Sequence, residues 1–169
     1  MFDKFGEFDS AEEINRAAAA QRDEGDTQAV MIIADENGID KEDAEDFIAG
    51  HLDELTTPLL AALGKLEVES KELRLGGVLN DWVDELKTMC TESADFAAAV
   101  RRKGKELAGY MALTVESGYE HRVVVDKRIA AKTTTVKKIM GSHELAIGIP
   151  DKKTRRELAW KYYLGEETA

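Results

Sequence analysis

A chain of 169 residues, 43% hydrophobic and 34% charged, has the size and balance of a globular protein that buries a core, which excludes a disordered chain. No apolar run approaches the roughly 18 residues of a membrane span, and "MFDKFGEFDS" lacks the basic start and apolar stretch of a signal peptide. With a lone cysteine, Cys90, no intramolecular disulfide is possible, and a reducing cytoplasm is the expected compartment.

The formal net charge of −11 is laid down unevenly. Residues 1–100 carry 25 acidic and 8 basic side chains, a formal −17, whereas residues 101–169 carry 9 and 15, a formal +6. Such polarity points either to charged partners or to solvated helix faces that keep the protein soluble.

In chain order, Ser10 and Glu13 form a capping-box pattern ahead of a helix that Gly25 ends. Asp26 or Thr27 is placed to cap a second helix, "TQAVMIIADENG", and Asp40 a third, "KEDAEDFIAG". Leu52, Leu55, Leu59, Leu63 and Leu66 then recur at helical spacing, with Pro58 expected to kink or restart that helix. After Gly76-Gly77, the stripe Leu79, Trp82, Val83, Leu86, Met89 and Cys90 predicts a strongly amphipathic helix. On that stripe Cys90 reads as a buried structural thiol.

Thr91 or Ser93 is expected to cap a long amphipathic helix with Phe96, Val100, Leu107 and Met111 facing inward. This places the cations Arg101, Arg102, Lys103 and Lys105 at mid-helix, away from the last turn where a macrodipole favours them. They are expected to face solvent or a partner. Beyond Gly118 the texture changes: "HRVVVD" and "HELAIGIP" read as strands, "TTTVKKI" as a strand or a helix start, and Asp151 as the cap of a last helix ended by Gly165. The expected fold class is mainly α, with an acidic helical domain over 1–117 and a small basic mixed α/β segment over 118–169 docked on it.

No catalytic constellation stands out. "DENGIDKEDAEDF" resembles a calcium loop, yet counted from Asp35 its glycine falls fourth and its fifth position is Ile39, which has no side-chain oxygen. His51, His121 and His143 are scattered, so no metal or other cofactor is expected. Binding, not catalysis, is the default. The acidic candidates for a protein interface are Asp43, Glu45, Asp46, Asp53 and Glu54. The nucleic-acid candidates are Arg101, Arg102, Lys103, Lys105, Lys137, Lys138, Lys152, Lys153, Arg155 and Arg156. Trp160, Tyr162 and Tyr163 lie beside the last four, either to stack on bases or to dock the terminal helix.

Taken together, "DKFGEFDSAEEINRAA", "ENGIDKEDAEDFIAG", "DWVDELKTMC", "AVRRKGKELAGY" and "WKYYLG" resemble small proteins of mobile elements in gut Firmicutes. That group includes type II-A anti-CRISPR proteins, inhibitors of Cas9. The resemblance implies stoichiometric binding to a Cas9–guide RNA complex, whose basic channels hold nucleic acid. An accessory or regulatory role on a conjugative or phage element is the alternative.

Overall fold

The computed structural model describes residues 3–165, and within them side-chain caps set most of the helix starts. Ser10 accepts the Glu13 N–H to open α1 (Ala11–Asp23), while the Glu13 carboxylate reaches back to the Asp9 N–H. Asp26 caps α2 (Thr27–Glu36) through Ala29, and Asp40 stands before α3 (Lys41–Ala49) without a side-chain bond. Thr57 caps α4 (Pro58–Glu72), in which Pro58 occupies the first turn, where its missing N–H costs nothing. The leucine series is therefore not one kinked helix. Leu52 and Leu55 precede α4, and only Leu55 is buried.

Helix α5 (Val78–Glu92) presents the predicted stripe, and Ser93 caps α6 (Ala94–Arg101) by accepting the Phe96 N–H. Here the expectation of one long helix fails. The chain leaves the helix at Arg102, turns at Gly104 with φ of 76°, and starts α7 (Leu107–Glu120). A left-handed residue in that turn suits glycine, which has no Cβ to clash. Arg101 and Arg102 thus sit at a helix C-terminus, where cations are favoured after all.

The tail contains β1 (Val123–Val124), α8 (Lys127–Ala130), α9 (Thr135–Met140), β2 (Ala146–Ile147) and α10 (Lys152–Leu164). The strands pair antiparallel, Val123 with Ile147 and Val124 with Ala146, and enclose the two short helices. This insert is pinned where Gly148 meets Gly118 of α7. A Cβ built on Gly148 would lie 1.7 Å from the Gly118 carbonyl oxygen, so neither backbone tolerates a side chain there.

Two apolar clusters stabilise the molecule. One joins α1 to α3 through Ile14, Val30, Ile33 and Phe47, with Ala61 of α4 closing it. The other joins α4 to α5, α6, α7 and α10 through Leu66, Leu86, Phe96, Tyr110 and Tyr163. Each large buried side chain contributes about 1.5–3 kcal/mol. Trp160 and Tyr163 pack edge-on to Phe96 at 5.1 and 5.5 Å, so these aromatics dock the terminal helix. The fold is mainly α with a small α/β part.

Candidate functional site

Of the cations of "RRKGK", Arg101 is buried, Lys105 is half-buried, and Arg102 and Lys103 are exposed. Arg101, a nucleic-acid candidate by sequence, is 1% exposed, and its Nη2 donates to Asn37 Oδ1 at 2.6 Å. Asn37 in turn donates to the Ile33 carbonyl at the end of α2. Burial holds the guanidinium below its ordinary pKa, opposed by Glu7 and Glu69.

Beside it Lys65, fully buried, donates to Glu7 Oε1 at 2.6 Å and to the Arg102 carbonyl at 2.8 Å. Glu69, one turn on along α4, accepts the Leu107 N–H at 2.7 Å and so caps α7 from another helix. Burial raises the Glu69 carboxyl to about 7 despite Lys65 at 3.8 Å. The N-terminal segment closes the cluster from outside: Glu7 accepts the Gly104 N–H and Asp9 the Lys103 N–H. These acids, more than 90 residues away in sequence, hold the backbone of the turn at 103–104.

Three further candidates, each half-buried, have partners within the fold. Lys105 donates to the Tyr162 carbonyl at 2.7 Å, in the last turn of α10, and lies over the Tyr162 ring. Arg155 makes two bonds to the nearly buried Glu85, at 2.7 and 2.9 Å, and one to the Pro150 carbonyl. Arg156 pairs with Glu92. Arg101 is thus withdrawn from the surface on which a nucleic-acid contact would lie, while Lys105, Arg155 and Arg156 each spend at least one donor within the fold. Arg102, Lys103, Lys137, Lys138, Lys152 and Lys153 remain exposed, Lys153 with only a loose 3.8 Å pair to Glu157.

The acidic candidates form a surface on α3 and the loop after it. Glu45, Asp46, Asp53 and Glu54 are exposed and Asp43 is half-buried. Glu45 pairs with Lys41 at 3.1 Å and Asp46 with His51 at 3.2 Å, both in solvent and worth little to stability. Between α2, α3 and α4 runs a groove of about 680 Å³, floored by Met31, Ile32, Ile39 and Val68. It continues past the Gly38–Gly64 crossing toward Asp43, Leu60 and Lys87. A Cβ on Gly64 would stand 2.2 Å from the Asn37 carbonyl oxygen, so two glycines let the backbones meet beneath the groove.

Cys90 is buried and its thiol is pushed up to about 12, leaving almost no thiolate near neutrality. Among the described residues no group of three or more His, Cys, Asp or Glu is arranged to hold a metal ion, and no helix is long and apolar enough to cross a membrane. No family model, curated protein or solved structure matches the chain.

Proposed function

We propose that the protein works by stoichiometric binding, its acidic α3 surface entering a positively charged nucleic-acid channel of a partner. The observation that carries this is the stretch 35–54, with nine Asp or Glu against one Lys, of which Glu45, Asp46, Asp53 and Glu54 are exposed. An acidic surface of this kind matches the field of a basic groove and speeds encounter with it. The Cas9–guide RNA complex, to which the sequence resemblance points, is the partner we assign, and blocked DNA recognition or cleavage the outcome.

Titrating purified protein into a Cas9 cleavage reaction tests this. Inhibition should saturate near one protein per complex, and the Glu45→Lys, Asp46→Lys double variant should need about tenfold more protein while melting normally. Undiminished cleavage with a large excess of the unmodified protein would falsify the assignment of this partner.

The exposed cations Arg102, Lys103, Lys152 and Lys153 favour a second reading, an accessory protein that holds nucleic-acid backbone. In that case DNA or RNA binding occurs without Cas9, and log K falls with log salt by roughly 0.7–0.9 per phosphate contact.

A further inference from the structure

Among the described residues, little packs over the insert between α7 and α10. Neither α8 nor α9 has a buried side chain. Among the described residues, eight of fourteen exposed large hydrophobics lie between 119 and 149, with Ile139 at 79%, Val123 at 71% and Ile129 at 62% exposure. The two short helices repeat one arrangement ten residues apart: Lys127-Arg128-Ile129 and Lys137-Lys138-Ile139, two cations followed by a protruding isoleucine. Such a concentration of exposed aliphatic surface marks a contact site.

Its chemistry narrows the partner. Nucleic acid fits less well, because residues 119–150 contain no Asn or Gln to pair with adenine, and Tyr119, their sole Phe, Tyr or Trp, already carries the Arg122 guanidinium over its ring at 4.2 Å. Two inserts facing one another fit poorly as well, since six cations against three acids repel. What fits is an apolar depression with free acidic groups at its edge. The α2–α4 groove of the same protein has that form: Met31, Ile32, Ile39 and Val68 floor it, the exposed Asp35 and Asp40 stand at its edge, and its two cations, Lys41 and Lys71, are already paired with Glu45 and Glu67. Glu67, also on the rim, is already held by Lys87 and Lys71.

We propose that the protein self-associates as a reciprocal dimer, the 123–147 insert of each copy seated on the α2–α4 groove of the other. Two equivalent contacts related by a twofold axis close the assembly, because whatever one chain gives it also receives. The aliphatic tips of α8 and α9 enter the apolar floor, and Lys137 and Lys138 meet Asp35 and Asp40. A stable dimer buries about 1,200–2,000 Å² in total, so each of the two contacts needs only half of that.

The test is sedimentation equilibrium of the full chain, treated with nuclease, across micromolar and higher concentrations. A monomer–dimer equilibrium is expected. Lys137→Glu with Lys138→Glu, and separately Asp35→Lys with Asp40→Lys, should each weaken it about tenfold or more, since each places like charges at both contacts. Mixing the two variants one to one should restore the dimer, because each contact in the mixed pair is again complementary. The altered residues are exposed, and unchanged melting of each variant separates lost contact from lost fold. A monomer at every concentration overturns the proposal, as does a dimer that ignores both reversals or a mixture that stays monomeric. Association that vanishes with nuclease also overturns it, in favour of nucleic acid. The measurement contains no Cas9, so its outcome is independent of the inhibitor reading.

Discussion

The segments 101–105 and 127–138 carry four and five cations, and the structure treats them differently. Arg101 and its neighbour Lys65 are inside, bonded to Asn37, Glu7 and backbone carbonyls, whereas Lys127, Lys137 and Lys138 are in solvent beside exposed isoleucines. The difference teaches that a run of cations has no inherent side. Distant carboxylates decide it: in the first run Arg101 has Glu7, Asp9 and Glu69 around it, and the second run has no comparable acids packed against it. A buried charge without such partners would cost several kcal/mol, so the acids and cations of the cluster depend on each other.

The strongest way to break that contrast is Lys65→Ala. It strands Glu7 and Glu69 at the cluster, and denaturant unfolding should show a loss of about 3–5 kcal/mol. A subtler effect concerns Glu69, whose carboxyl sits at about 7 against an ordinary 4.5. The folded protein then binds more protons at this site than the unfolded chain, so this group's contribution to stability falls as pH rises from 4.5 to about 7 and levels off above. In Glu69→Gln the slope of unfolding free energy against pH over that window should become less negative, and an unchanged slope would contradict the cause assigned here. The smallest effect sharpens the comparison from the other side: Lys138→Ala, in the exposed run, should change unfolding free energy by less than about 0.5 kcal/mol.

Local chemistry made much of this fold legible. Ser10, Asp26, Thr57, Ser93 and Asp151 each supply a cap bond within three residues, and the stripe from Trp82 to Cys90 is buried as its spacing requires. The helix break at 102–106 was written in the chain as Gly104, a helix-stop residue, but the continuing apolar spacing from Val100 to Leu107 concealed it. Burial of Arg101 was not legible, because its surroundings come from residues 7, 37 and 69, far apart in sequence. Exposure of the acidic residues was legible for a simple reason. Nine carboxylates in twenty residues exceed what any interior can neutralise, so most must reach water.

Helix α4 lends Ala61 to one apolar cluster and Ala62 with Leu66 to the other, and its Lys65 and Glu69 hold the loop that divides α6 from α7. It works as a shared wall between two rooms. Neither half can lose its packing without exposing a face of the same helix, so amide exchange in α1–α3 and in α5–α7 should be limited by one common opening event. The insert at 123–147 hangs outside that wall, and its amides should exchange first.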